Sequence, residues 1–537
     1  MNLQDKKKSS SARADDEQQK EIELKLRTDA EGMAILLETP RLMAAARDGK
    51  RTHMHAVYYD TPEMTLNGRG ACLRVRDEDG RFVQTVKSAG RRAGAMDREE
   101  RKVEVPGFEP HPEWLDTVSA VADLDNEPCT GLRPVFTTKY DRLVSLLTYE
   151  GGDGRSSLIE IACDRGIITS DAGDVPILEI ELELLQGDPG ALYELALELH
   201  RHYPLHVETR SKSDRGYGLI SGAPPPWRTS EKPALPLEIT IGDALAMVFR
   251  TGFSNWLTNE AAAVDGSDPE GVHQMRVALR RLRSALVVFG RFLPDGQAKW
   301  LKAECRWLAG CLGPSRDLDV FLTEILDPVV EANPGDRGLL GLQHRAETAR
   351  AHAYETLRHA INSPRYGRFV LDFGLWLERG SWRNHVSKKQ AKRLEMPLRR
   401  RSAKLLSRQY RDVMELGNHV VTGTDEQRHE LRIAIKKLRY SIDYMPADKT
   451  DKRRRPFRQS LSRLQDDLGV MNDIAVTEER LATLTADPAD GAAGSDLVRA
   501  AGQVLGWWGG IGQQRKADLG AAWEQFQSRE PFWLEAM

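Results

Sequence analysis

Along the first 220 residues, apolar and polar positions alternate with period two in a series of short segments. They are EIELKLR from Glu21, CLRVR from Cys72, FVQTVK from Phe82, RKVEV from Arg101, LIEIACD from Leu158 and ILEIELELL from Ile177. Successive side chains of a strand point to opposite faces, so each segment predicts a strand with two unlike faces. Beyond about residue 240 the period changes. VHQMRVALRRLRSALVVF from Val272 and RHELRIAIKKLRYSIDYM from Arg428 carry apolar residues at helical spacing. Between the two regimes lies SGAPPPWRTSEKPALPLE, whose Pro224, Pro225, Pro226, Pro233 and Pro236 exclude helix interiors and central strands and favour an extended spacer. The pattern predicts an α+β chain of two domains. A β-rich domain over 19–220 and an all-α domain over 240–530 are joined by a proline-rich linker over 221–239, with a disordered tail over 1–18.

Composition agrees with two domains. A chain of 537 residues exceeds what one hydrophobic core usually serves. With 40% hydrophobic and 29% charged residues it reads as globular, and no apolar run approaches the roughly 18 residues of a membrane span, so no membrane partner is expected. Lys6, Lys7 and Lys8 are followed by no apolar stretch, so a secretory leader is not expected and the cytoplasm is. Five cysteines without a CxxC pair suit neither a disulfide framework nor a zinc cluster. The net charge of −3 hides a split of about +7 over 241–537 against about −10 before it.

The charges of the first half are ordered. Glu21, Glu23, Lys25 and Arg27 share one face of a strand, as do Arg74 with Arg76, Glu100 with Lys102, Glu160 with Asp164, and Glu179 with Glu181 and Glu183. In a closed antiparallel barrel these faces could line one lumen, which would cost several kcal/mol per desolvated ion unless charges pair or a ligand fills it. Glutamates two apart supply hard oxygen ligands for Mg²⁺ or Mn²⁺, and Arg and Lys complement phosphate oxygens. The combination suits a polyphosphate held with a divalent metal, and no P-loop is present to supply phosphate chemistry in another way.

These residues resemble a known family, the CYTH domain or triphosphate tunnel metalloenzymes. Its Glu-x-Glu-x-Lys signature stands at Glu21, Glu23 and Lys25. In the family's order follow YYDTP (Tyr58 to Pro62), LRVR (Leu73 to Arg76), TVK ending at Lys87, RxE at Arg98 and Glu100, TxxxR at Thr138 and Arg142, IEIACDxG (Ile159 to Gly166), EIELE (Glu179 to Glu183) and SKxxRGY (Ser211 to Tyr217). The resemblance implies an eight-stranded antiparallel tunnel with flanking helices that binds a linear triphosphate and a divalent cation. By it, Glu21, Glu23, Glu181 and Glu183 are the metal-binding carboxylates, although which of Glu179, Glu181 and Glu183 touches metal stays open. Lys25, Arg74, Arg76, Lys87, Arg98, Arg142 and Lys212 form the phosphate grip. Glu21, Glu23, Lys25, Arg74, Arg76 and Lys87 carry catalysis by attack of a metal-ordered water on the terminal phosphorus. Tyr58 and Tyr59 read as packing residues, and His200, His202 and His206 lack the partners of a metal site.

The second half repeats itself at an offset of about 156 residues. HQMRVALRRLR (His273 to Arg283) matches HELRIAIKKLR (His429 to Arg439), and LAGCLGPSRDLDV (Leu308 to Val320) matches LQDDLGVMNDIAV (Leu464 to Val476). At about 100° per residue, His273, Arg276, Arg280 and Arg283 fall in one sector, opposite Met275, Ala278, Leu279 and Leu282; His429, Arg432, Lys436 and Arg439 repeat the stripe. Ser267 or Asp268 before Pro269, and Thr424 with Gln427, are start signals. Arg345, Arg350, Tyr354 and Arg358 suggest another basic face, and Lys388 to Arg393, Arg399 to Arg401 and Lys452 to Arg455 add positive charge. Aromatic interleaving is thin, so nucleic acid is a weaker partner than a bare phosphate chain. These helices resemble the CHAD domain, which often follows a CYTH domain. That resemblance implies a pair of four-helix bundles related by internal duplication, whose basic groove binds inorganic polyphosphate through His273, Arg276, Arg280, Arg283, His429, Arg432, Lys436 and Arg439. The histidines could instead pack within the bundle, and Asp317 and Asp473 could orient the cations.

The two resemblances together imply a bacterial CYTH–CHAD architecture. The function they imply is metal-dependent hydrolysis of inorganic triphosphate to pyrophosphate and phosphate, with polyphosphate bound by the helical domain. The alternatives are a non-catalytic polyphosphate-binding or granule-targeting protein, and a nucleoside or thiamine triphosphatase or adenylate cyclase, for which no base-selective feature is present.

Overall fold

The alternating segments form strands β1 (Glu23–Arg27), β2 (Lys50–Asp60), β3 (Ala71–Glu78), β4 (Arg81–Arg92), β5 (Ala95–Val105), β6 (Arg133–Glu150), β7 (Ser156–Ser170), β8 (Gly173–Gln186) and β9 (His206–Val207). The computed structural model describes residues 22–92, 95–111, 131–152, 154–384, 386–446, 452–486 and 491–533. The chain divides into two compact units, Met1–Ser221 and Gly222–Met537. In the first unit the strands make one sheet, ordered β5-β4-β3-β2-β6-β7-β8-β1-β9, with every pairing antiparallel. The resemblance implies eight strands; the described sheet has nine because the two-residue β9 adds to the outer edge of β1. No ladder among the described residues joins β5 to β9, so backbone pairing does not itself close the sheet.

Helices α1 (Ala30–Leu37), α2 (Pro40–Arg47), α3 (Thr65–Gly68), α4 (Gly190–His200) and α5 (Lys212–Ser221) complete this unit. One face of the sheet is apolar. Leu24, Leu26, Ile159, Ile161, Ile180 and Leu182 are buried there, and α4 packs on β1 and β8 with Leu192, Leu195, Ala196 and Leu199 buried. Register is therefore fixed, because a slip of one residue would bury the charged face and expose the apolar one.

The second unit is helical: α6 (Ile241–Asp265), α7 (Pro269–Phe289), α8 (Asp295–Val320), α9 (Asp327–Ala332), α10 (Arg337–Ile361), α11 (Pro364–Glu378), α12 (Lys388–Leu394), α13 (Leu398–Gly417), α14 (Asp425–Asp443), α15 (Arg454–Leu484) and α16 (Gly491–Gln527). Both expected start signals operate. Asp268 caps α7 at the Glu270 N–H ahead of Pro269, and Thr424 and Gln427 form a reciprocal capping box on α14. Phe249, Phe253 and Trp256 of α6 pack on Phe369, Phe373 and Trp376 of α11. Ala403, Leu406, Leu431, Ile435, Leu438, Leu461, Leu464, Leu519 and Phe526 form a core shared by α13 to α16.

Two expectations change. The proline-rich segment groups with the helical unit and is pinned to it. The Arg228 and Ser230 amides donate to Asn259 and Gln274, and Arg281 donates to the Ser230 and Glu231 carbonyls. The basic face of α10 is internal bracing. Arg345 donates to the Leu484 carbonyl, Arg358 to the Val264 and Asp265 carbonyls ending α6, and Arg350 to the Gly266 carbonyl and the buried Asp319 carboxylate. Arg350→Ala leaves Asp319 with only the Tyr354 hydroxyl among these partners. It should lower the stability of the helical unit by about 3 kcal/mol, read as a shifted urea midpoint of its transition.

Candidate functional site

The ladder register gathers the charges of the first unit onto one face of the sheet. On β1 and β8, Glu23 stands opposite Glu183, Lys25 opposite Glu181 and Arg27 opposite Glu179. On β8 and β7, Glu183 faces Glu160 and Glu179 faces Asp164, which in turn faces Arg142 of β6. Thr52 of β2 lies beside Arg142, and four and six residues along β2 parity carries the face through Ala56 to Arg76 and Tyr58 to Arg74 on β3. Lys87 of β4, opposite Cys72 and Glu100, and Arg98 of β5, opposite Ala89, extend it. Glu21 lies outside the described residues, and so does the side chain of Arg98.

Side chains on this face form a compact network. The Asp164, Glu179 and Glu181 carboxylates offer oxygens all within 4.8 Å of one another. Lys212 Nζ reaches each of them, at 2.8, 2.6 and 3.0 Å. Arg142 grips Asp164 with two nitrogens, at 2.7 and 2.6 Å, and also donates to Glu181. Lys25 Nζ lies 3.0 Å from Glu181 and 3.9 Å from Glu23. Arg215 holds the other oxygen of Glu179. Burial alone would raise the Glu181 carboxyl, yet Lys212, Lys25 and Arg142 outweigh it and hold it well below the usual carboxylate range. Burial would likewise lower the charged forms of Lys212 and Arg142, but the carboxylates keep both firmly protonated.

This network divides the acidic residues. Asp164 and Glu179 are fully buried and committed to cations of the protein. Glu23, Glu183 and Glu160 instead form a carboxylate row across three adjacent strands. Like charges directly opposite on a ladder repel, and a divalent cation relieves that repulsion. Burial raises the Glu23 carboxyl, with Glu181 adding to the rise, against the pull of Lys25, Lys212 and Arg142. The donor set therefore fits a hard divalent ion at Glu23, Glu183 and Glu160, with Glu181 at its border.

Toward β3 the face turns cationic. Arg74 is half-buried beside Tyr58, whose ring stacks on Phe136 at 4.3 Å, and its shielded Nε makes no hydrogen bond among the described residues. Arg76 pairs with Glu78 of its own strand. Tyr59, which donates to the Phe108 carbonyl, is a packing residue as expected. His200 accepts from the Leu205 amide, a structural contact.

In the helical unit, α7 and α14 touch, and their stripes meet. Arg280 lies over the Tyr440 ring at 5.7 Å and Arg439 over it at 5.5 Å. Tyr444 donates to the Arg281 carbonyl at 2.6 Å. Met275, Ala278, Leu279 and Leu282 are buried, as the helical wheel requires. The repeat is echoed in the ion pairs: Arg276 lies 3.6 Å from Asp317 and Arg432 lies 3.8 Å from Asp473. A side chain at Gly313 would crowd the Arg276 guanidinium at 3.3 Å, so the glycine keeps room for it. Burial, then Arg316, lower the imidazole of His273, which is half-buried, whereas His429 is exposed. Burial, with Arg432, Arg280 and Arg439 around it, pushes the Lys436 ammonium down to about 8. Arg283 is exposed on the same stripe.

Sequence reasoning missed Arg215, the commitment of Asp164 and Glu179 to cations, and Arg316. The signals were present: Asp164 shares parity with Glu160, and Arg215 stands three residues after Lys212 on a helix, on its side.

Comparison with known proteins agrees with both halves. Residues 19–217 match the CYTH domain family model and residues 248–482 the CHAD domain family model. An inorganic triphosphatase of Haemophilus influenzae is 28% identical over 203 residues, which cover 37% of this chain and 55% of that protein. The chain thus spans about half the length of that relative. An uncharacterized protein of Mycobacterium tuberculosis is 25% identical over 455 residues, 80% of this chain and 81% of its own. The crystal structure of the CHAD domain from the plant Ricinus communis, 26% identical, aligns with a TM-score of 0.48 over 57% of this chain and 98% of its own. No helix among the described residues is long and apolar enough to cross a membrane.

The depressed Lys436 has a consequence for stability. Because its folded-state value lies near 8 and an unfolded lysine titrates near 10.4, the folded form sheds this proton first. The helical unit should gain stability from this group as pH rises from about 8 toward 10.4 and lose it on return. Lys436→Met should abolish that limb and raise the melting temperature below pH 8, measured by thermal unfolding at constant ionic strength.

Proposed function

Since the chain carries a CYTH domain over residues 19–217 followed by a CHAD domain over 248–482, we propose that it is a metal-dependent inorganic triphosphatase whose helical domain binds polyphosphate. The observation that carries the first part is the register, which puts carboxylates of β1, β7 and β8 and cations of β3, β4 and β6 on one face. We read that face as the inner wall of a tunnel of eight long strands. Glu23, Glu181 and Glu183, with Glu21 and Glu160, are the residues that would hold Mg²⁺ or Mn²⁺. When bound, that ion would polarise a terminal phosphoryl group and a water. Lys25, Arg142 and Lys212 converge on Glu181 beside the carboxylate row, where they would grip the phosphoryl group under attack. Arg74, Arg76, Lys87 and Arg98 would take the two phosphates that leave together as pyrophosphate, neutralising charge on the departing oxygen. Arg74 is suited to this, because its guanidinium lies beside Tyr58 with its Nε shielded from solvent.

The second part rests on the meeting of α7 and α14. We read the helical unit as two copies of a four-helix bundle with the basic stripes at their junction. Like charges held together by a fold cost stability that a polyanion returns, which makes Arg276, Arg280, Arg283, Arg432, Lys436 and Arg439 a site for a phosphate chain, with His273 and His429 at its ends. Polyphosphate-granule association and a soluble cytoplasmic location follow from this reading.

Phosphate release from tripolyphosphate should require Mg²⁺ or Mn²⁺ and exceed release from ATP or thiamine triphosphate. Glu23→Gln should lower kcat about 10²-fold, and equal rates in wild type and variant would defeat the enzyme reading. Long-chain polyphosphate should bind the full chain with an affinity that falls steeply between low and 0.5 M salt, and Arg280→Ala with Lys436→Ala should flatten that dependence. Salt-insensitive binding would remove the groove.

A further inference from the structure

The SKxxRGY segment seats α5 against the charged face, and each of its residues has a physical task. Ser211 and Asp214 cap the helix reciprocally: the Asp214 amide donates to the Ser211 hydroxyl, and the Ser211 amide to the Asp214 carboxylate. Gly216 lets the helix lie on Phe136, since a Cβ there would stand 2.3 Å from the ring. Tyr217 packs edge-on to the same ring at 5.2 Å. Lys212 enters the carboxylate cluster, and Arg215, one turn on, follows it to the same side.

We propose that Arg215 is a positioning residue for Lys212. Its guanidinium holds the buried Glu179 carboxylate, and Glu179 together with Asp164 fixes where the Lys212 ammonium stands. This rests on the reading of the first unit as a triphosphate site. The Glu179 oxygens are divided, Oε1 to Arg215 and Oε2 to Lys212 at 2.6 Å. Arg215 also donates to the Pro176 carbonyl at 3.3 Å, so its planar fork ties α5 to β8 at the point where Glu179 leaves that strand. Arg215 does not touch the carboxylate row and is only 9% exposed, which separates it from the groups that would meet ligand. A lysine on a four-carbon stem is free to follow whichever anion is nearest; a carboxylate locked from behind gives it one resting place. Glu179 is thus a clamp and not a metal ligand, whereas the ladder register sets Glu183, the third glutamate of EIELE, opposite Glu23.

A double-mutant cycle on tripolyphosphate hydrolysis by the full chain tests this. Lys212→Met should lower kcat/KM about 100-fold, and Arg215→Met about 10-fold, mostly through KM. In the Lys212→Met background, Arg215→Met should cost less than about threefold, because there is no ammonium left to place. Glu179→Gln should reproduce Arg215→Met, and Arg215→Lys should recover part of the loss. If Arg215→Met is poorly folded by urea titration, Glu179→Gln, which removes charge without volume, takes its place in the cycle. Full additivity, or an Arg215 effect larger than that of Lys212, would overturn the inference while hydrolysis by wild type left the functional reading intact. A wild type that neither hydrolyses nor binds tripolyphosphate would remove both.

Discussion

A carboxylate taken out of water must be compensated, and the first unit is built around meeting that demand at Asp164, Glu179 and Glu181. Antiparallel pairing brings the three within reach of one another, and strands and helix supply Lys25, Arg142, Lys212 and Arg215 to answer them. Breaking such a network one member at a time is far more costly than never having built it, so each residue is retained by the others. The network also sorts the acids by task. Those fully buried hold cations of the protein, while Glu23, Glu183 and Glu160 face one another across β1, β8 and β7.

The helical unit solves the opposite problem. Along α7 and α14, cations face cations, with Asp317 beside Arg276 and Asp473 beside Arg432. Packing on the apolar side of each helix holds the stripes together, as Leu279 and Leu282 on one and Leu431, Ile435 and Leu438 on the other are buried. Burial first, and then the neighbouring Arg432, Arg280 and Arg439, lower the Lys436 ammonium within that arrangement. Other arginines of this unit, such as Arg350 and Arg358, spend their donors on helix-ending carbonyls and do not join the field.

Much of this was legible in the sequence because parity and helical periodicity are local rules. Alternation alone put Glu23, Arg74, Arg76, Glu181 and Lys212's partners on the right faces, and the self-similarity of the second half paired Arg276 with Arg432 and Asp317 with Asp473. What stayed hidden depends on which cation reaches which anion across the sheet. Asp164 and Glu179 look like Glu183 in the pattern, and only the arrival of α5 distinguishes them. Arg350 and Arg345 look like Arg280, and only the nearby ends of α6 and α15 show that they are braces. The short β9, two residues after a loop, carries no periodicity to read.

The segment from Trp227 to Lys232 bears on how such a protein could be assembled from parts. Its backbone is read by Asn255, Asn259, Gln274 and Arg281, all of the helical unit, and Lys232 reaches Asp443 at 3.1 Å. A helical module transplanted by recombination must therefore bring its prolines along. Severed at residue 240, it would take the Arg228 and Ser230 donors away from the Asn259 Oδ1 and Gln274 Oε1 oxygens, so a cut that keeps the helical unit whole belongs just after Ser221.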